Sequence, residues 1–202
     1  MQEKIPKEKK STPKKGKVSK KTEKSLKKAE INNTVKDSDL MIIRLFDAPR
    51  DLVYKYWTEP EKVKCWWGPK EFTAPFVQID FRVGGKYLYC MRSPDGKDYW
   101  STGMYRQIIP NEIIVATDNF ADEKGNIVDG THYGMSGDWS RPLIITMSFE
   151  DRAGKTKFTL VHEGFPNKEH RNQAQEGWST SLDKLAECLT QACECDLYNN
   201  EV

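Results

Sequence analysis

His162 is the imidazole whose position sets it among apolar side chains. Thr156, Phe158, Leu160 and His162 alternate with Lys155, Lys157 and Thr159. Every second side chain of a strand faces the same way, so this alternation points His162 inward beside Phe158 and Leu160. Two roles are open to it there. It can anchor a ligand hydroxyl or carbonyl, or shuttle a proton near neutral pH. Alternatively it bonds a backbone group near the strand end, and the reading favours this because buried imidazoles are usually satisfied locally. Tyr87, Tyr89 and Met91 form a second interior series, opposite Lys86, Leu88, Cys90 and Arg92. With Phe158, Leu160 and Trp178 they predict an aromatic-lined interior, which suits a planar hydrophobic ligand and equally a packed core. Trp66-Trp67-Gly68-Pro69 is either a flat aromatic gate or packing, with one Trp expected inward and one partly exposed.

Other chemistry is scarce. The sequence has no HExxH, GxSxG or GxxxxGK. Its cysteines, Cys65, Cys90, Cys188, Cys193 and Cys195, are odd in number and form no CxxC pair. Cys193-x-Cys195 is a conceivable soft-metal spacing, but no His lies near it, so reduced, mostly structural thiols are expected. Asp80 and Arg82 precede Gly84-Gly85 and are expected to fix that turn. No cofactor, metal site or catalytic residue is expected, and the balance leans away from an enzyme.

These residues need elements to position them. Ala174, Trp178, Leu182, Leu185, Leu189 and Ala192 recur every three or four residues, which predicts one long helix from Asn167 to about Cys195. At about 1.5 Å per residue it runs roughly 40 Å and needs a long apolar surface to lie on. Asn167 is its expected N-cap. Gly177 interrupts it at a cost of about 1 kcal/mol relative to Ala. Close packing against a bulky strand residue is the favoured reason, and room for a ligand the other.

Before that helix the chain reads as strands. Leu40–Phe46 is the first, ended by Asp47-Ala48-Pro49, with Asp47 or Ala48 capping a short helix. Pro60 starts a second short helix reaching Trp66-Trp67. Extended segments follow at 72–83, with Pro75 marking an edge or bulge, and at 86–92, 99–109, 112–120, 141–150 and 155–163. Short Gly- and Pro-containing turns join most of them, which means antiparallel hairpins. The connector from Ala121 to Ser140, with His132, Tyr133, Asp138 and Trp139, is long enough to be a flap. The layout is α+β.

Charge divides the chain. Residues 1–39 hold 13 Lys, no Arg and six acids, a net of +7 against +2 for the whole chain, leaving the rest at −5 with every aromatic residue and cysteine. A tail so poor in apolar residues is expected to be disordered, either a solubilising extension or a source of weak, salt-screened nucleic-acid contact. Residues 40–195 form the expected folded domain, and 196–202 a flexible end. Nothing approaches a transmembrane span or carries the apolar core of a secretory signal, so membrane insertion is not expected and a cytoplasmic location is.

The run Arg44-Leu45-Phe46-Asp47-Ala48-Pro49, then Trp57-Thr58-Glu59-Pro60 and Trp66-Trp67-Gly68-Pro69, resembles the START-like, Bet v 1-type (SRPBCC) superfamily. Within it the nearest group is the one related to the activator of the 90-kDa heat-shock protein ATPase. Asp80-x-Arg82-x-Gly84-Gly85, Pro94-Asp95-Gly96, Gly103-x-Tyr105, His162-Glu163-Gly164-Phe165-Pro166 and Gly177-Trp178 continue the likeness from Leu40 to Leu189. The resemblance implies a helix-grip fold: a curved seven-stranded antiparallel sheet around a long C-terminal helix, two short helices after the first strand, and a cavity between. Members bind lipids, polyketides or other hydrophobic molecules, and some are cyclases or co-chaperones. The leading expectation for this chain is binding of a small hydrophobic or aromatic molecule, without catalysis, by Trp67, Tyr87, Tyr89, Met91, Tyr105, Phe158, His162 and Trp178. A co-chaperone acting on a heat-shock protein 90-like ATPase, and a polyketide cyclase-like enzyme, are the alternatives it leaves.

Overall fold

The computed structural model describes residues 39–199, with side chains described to residue 192. The Lys-rich tail up to residue 38, the Cys193 and Cys195 thiols and residues 200–202 lie outside the described residues.

Seven strands form one antiparallel sheet: β1 (Leu40–Phe46), β2 (Thr73–Ile79), β3 (Lys86–Arg92), β4 (Asp98–Ile109), β5 (Ile113–Ala121), β6 (Leu143–Arg152) and β7 (Lys155–Glu163). Their order across the sheet is β1-β7-β6-β5-β4-β3-β2. Consecutive strands from β2 to β7 are antiparallel neighbours, joined by short turns except for the long connector between β5 and β6, and β1 closes against β7 with Ile42 opposite Leu160. Pro75 sits on edge strand β2, where the register shifts between Thr73 and Phe76. A proline lacks the ladder N–H, so an edge with an irregularity is where it fits.

Helices α1 (Arg50–Thr58) and α2 (Pro60–Lys64) follow β1, and α3 (Lys168–Asn199) ends the fold. Two expectations change here. Pro49 itself occupies the N-cap position of α1 without a side-chain cap bond, displacing Asp47 and Ala48. Helix α2 stops at Lys64; beyond it the Trp66 and Trp67 N–H groups both turn back on Val63 O, an irregular turn that sets the two indole rings edge to face at 5.6 Å. Asn167 caps α3 as expected, its Oδ1 accepting from His170 N at 3.0 Å. No helix among the described residues is long and apolar enough to cross a membrane.

The core lies between the concave face of the sheet and α3, with α1 wedged between them. Trp57 of α1 stacks on Phe158 of β7 at 5.0 Å and on Trp178 of α3 at 6.0 Å. Leu182, Leu185 and Leu189 of α3 are buried on this layer. Trp66 is fully buried, its indole N–H donating to Tyr56 O at 2.8 Å; Trp67 is half-buried. One Trp went inward and one stayed partly exposed, as the sequence predicts. Arg82 pairs through two nitrogens with the Asp80 carboxylate, at 3.0 and 2.8 Å, fixing the turn before Gly84-Gly85.

Candidate functional site

Helix α3 changes character along its length. Its Leu182, Leu185 and Leu189 half lies on the core, while the preceding turns carry Ala174, Gly177, Trp178 and Ser181 on one face. Spacings of three, four and seven put these four on one stripe. Small side chains leave the sheet below uncovered, and a cavity of about 370 Å³ opens there. Trp178, Gly177 and Ala174 form its roof, and Trp67 and Pro69 one side. Met91 and Tyr99 from β3 and β4, with Asp118 and Phe120 from β5, make the floor; Met135 and Trp139 of the connector close the far side.

Gly177 answers the question left by the sequence. A Cβ built there meets only Pro69 Cγ, at 3.6 Å, an ordinary van der Waals contact. Tight packing on a strand residue is therefore not the reason for the glycine, and the favoured expectation is overturned. The position faces the cavity.

His162 stands at the cavity floor, 4% exposed. The Trp178 indole N–H donates to His162 Nδ1 at 3.2 Å. An indole N–H can only donate, so Nδ1 is the acceptor and the neutral ring carries its hydrogen on Nε2. Nε2 lies 3.4 Å from Asp118 Oδ2, yet the geometry falls short of a hydrogen bond, and this buried nitrogen has no other partner. The second Asp118 oxygen is better served: the Tyr87 hydroxyl donates to Oδ1 at 2.8 Å and shares its hydrogen with Thr117 O at 3.0 Å. Gly103, opposite Tyr87 across the ladder, makes room for that ring; a Cβ there would collide with Thr117 O and the Tyr87 ring.

Behind Asp118 and Trp67 lies a second space of about 30 Å³, bordered by Tyr87, Tyr89 and Tyr105. The hydroxyls of Tyr89 and Tyr105 are 3.5 Å apart. Burial pushes the Tyr105 phenol up to about 12, and burial with the Asp118 charge holds Tyr87 well above the ordinary phenol range.

Of the eight residues expected at the site, Trp67, Met91, His162 and Trp178 line the cavity, and Tyr87, Tyr89 and Tyr105 border the inner space. Phe158 lines neither. It is fully buried beneath Trp57, and so supports the Trp178 wall from below. The sequence reading missed Asp118, though Ile114, Ala116 and Asp118 share the inward face of β5 and the same alternation test would have found it. It also missed His170, whose Nε2 bonds Ser136 O at 2.6 Å and ties the connector to the first turns of α3. Trp139 packs on Phe120 at 5.0 Å and on His170 at 5.1 Å, so the connector is an ordered flap. On the opposite side, Lys184 Nζ donates to Gly68 O, Pro69 O and Phe72 O at 3.1, 3.4 and 2.8 Å. It clamps the turn that carries Trp67, and burial draws its pKa below the ordinary lysine value. Among the described residues no three His, Cys, Asp or Glu side chains converge on a metal position.

A curled antiparallel sheet gripping a C-terminal helix, with an aromatic-walled space between them, defines a helix-grip protein of the Bet v 1-like, SRPBCC superfamily. The family model described as "Activator of Hsp90 ATPase homolog 1-like protein" matches residues 47–190, and the chain belongs to that family. Solved structures agree in fold. A protein of Nitrosomonas europaea is 21% identical, with 80% of this chain and 99% of that one covered at a TM-score of 0.64. For a Chromobacterium violaceum protein the figures are 25%, 76%, 98% and 0.64, and for an AHSA1 protein of Silicibacter pomeroyi 22%, 76%, 99% and 0.62. Among curated proteins, no sequence matches this chain.

Proposed function

We propose that this domain binds a small hydrophobic or aromatic molecule between α3 and the sheet, without transforming it. The observation that carries the reading is the 370 Å³ cavity roofed by small helix residues and walled by Trp67, Trp178, Phe120 and Trp139. Space of that size with aromatic walls and few polar groups is the usual form of a small-molecule site. Trp67, Met91 and Trp178 bury the ligand, and His162 holds Trp178 and faces Asp118. Tyr87, Tyr89 and Tyr105 act from behind, fixing Asp118 and the back of Trp67.

A cyclase-type role would need a proton acceptor turned toward the ligand. His162 Nδ1 is already engaged by Trp178 and Nε2 is turned on Asp118, which supports positioning over proton transfer. A chaperone-directed role rests on the family description alone; a pull-down and an ATPase assay, with and without residues 1–39, test it.

The binding reading is tested by titrating the full chain with N-phenyl-1-naphthylamine, a neutral aromatic probe whose emission rises and shifts to the blue in apolar surroundings. Saturable one-to-one binding is expected. Absence of a saturable response overturns the proposal.

A further inference from the structure

Asp118 is the residue of the cavity that a purely apolar ligand would not explain. Its carboxylate lines both the cavity and the space behind it, with its side chain 23% exposed. Among the described residues its ion-pair contact is with His162, whose Nδ1 accepts from the Trp178 indole. Oδ1 has the Tyr87 hydroxyl. Oδ2 faces the buried His162 Nε2, which falls short of hydrogen-bonding it. Among the described residues no lysine lines the cavity, and Arg141, the arginine that does, is exposed just beyond the flap. His170 is held to Ser136 O and Gln173.

A carboxylate in a space of reduced dielectric attracts a cation more strongly than it would in water and repels an anion equally. The surrounding rings act in the same direction. The faces of Trp, Tyr and Phe are negative and draw an ammonium group, most strongly where water is excluded. Trp67 and Trp178 meet at 5.4 Å, nearly perpendicular, so two indole surfaces border the approach to Asp118.

We propose that the cavity selects organic cations: a flat or compact apolar body bearing a protonated amine, the amine seated on Asp118 Oδ2 and the body held between Trp67, Trp178 and Phe120. The amine supplies the countercharge that the carboxylate lacks, and the aromatic walls bury the body. This assignment rests on the binding function proposed above and narrows it to one charge type. Fatty acids and aromatic carboxylates of the same size are excluded by the same charge.

The test compares three indoles of similar body against the full chain by isothermal titration at neutral pH: tryptamine (cation), 3-ethylindole (neutral) and indole-3-propionate (anion). Tryptamine is expected to bind at least tenfold more tightly than indole-3-propionate. In Asp118→Asn, which keeps an oxygen to accept from Tyr87, that preference is expected to vanish. If indole-3-propionate binds the unmodified chain as tightly as tryptamine, the assignment fails without reference to any variant. It also fails if Asp118→Asn leaves the preference unchanged. Binding of 3-ethylindole alone overturns the charge selection and leaves the cavity function standing; binding of none of the three overturns both.

Discussion

The Trp178 indole N–H donates to His162 Nδ1 across 3.2 Å, tying the roof of the cavity to its floor. One bond sets two things: the rotamer of the ring that walls the cavity, and the tautomer of the imidazole beneath it. Because the hydrogen is then on Nε2, the ring turns its donor toward Asp118 and leaves that carboxylate's acceptor capacity on the cavity side.

A long-range 1H–15N spectrum of the imidazoles, at a pH where His162 is neutral, is expected to show His162 with its hydrogen on Nε2. In Trp178→Phe, which removes the donor, the Nδ1 resonance is expected to move. The opposite tautomer in the unmodified chain would mean that the Trp178 bond does not exist.

Gly177 offers a separation of stability from binding. Ala is favoured over Gly in a helix interior by about 1 kcal/mol, and a Cβ here meets no close neighbour beyond Pro69 Cγ. Gly177→Ala is therefore expected to raise the denaturation midpoint by up to about 1 kcal/mol of stability. Gly177→Leu projects into the cavity and is expected to lower probe affinity at least tenfold while the chain stays folded. Urea unfolding and the fluorescence titration read the two effects separately; a destabilised Gly177→Ala would restore the close-packing explanation.

Lys184 holds three carbonyls of the turn carrying Trp67. Lys184→Met removes the donor while keeping most of the apolar stem, and leaves those three part-buried carbonyls without their shared partner. The expected loss is about 1–3 kcal/mol, the range for unsatisfied buried polar groups. Acrylamide quenching should also rise, as Trp67 becomes more accessible. Unchanged quenching together with unchanged stability would show that the clamp carries no weight.

The buried tyrosines predict an alkaline limit. Burial raises the pKa of Tyr87, Tyr89 and Tyr105, the last to about 12, above the ordinary value of about 10 expected in the unfolded chain. Above pH of about 10 the unfolded chain therefore loses protons that the fold retains, so stability falls as pH rises. The contribution is complete below about pH 10 and disappears between there and about 12 for Tyr105. Unfolding midpoints measured from pH 9 to 12 should decline across this range, and less steeply in Tyr105→Phe. An equal slope in the variant would contradict the burial of that phenol.

Much of this was legible from residue order. β1, β3 and β7 begin and end where their alternation and turns place them, because Pro49, Gly84-Gly85 and Ala153-Gly154 interrupt the chain sharply. The long helix announced itself through its stripe. Less visible was that the stripe has two halves, since Ala174 and Leu189 count alike as apolar while only the small residues leave a space. The His162–Asp118 relationship was harder still. The two stand on β7 and β5, with β6 between them, and meet only because Leu143 pairs with Asp118 and Ile145 with His162. That needs the register of two hairpins, which alternation within one strand does not supply. Phe158 shows the opposite error: its inward parity was right, but the layer of Trp57 above it was not evident from spacing.

The central claim is that a ligand occupies the space between α3 and the sheet. It is tested most directly by following the indole N–H resonances in a 1H–15N spectrum during titration with N-phenyl-1-naphthylamine. The account predicts saturable shifts for Trp67, Trp139 and Trp178, with Trp66, sealed in the core, nearly unmoved. Shifts absent from all three, or distributed over the surface without saturation, would contradict it.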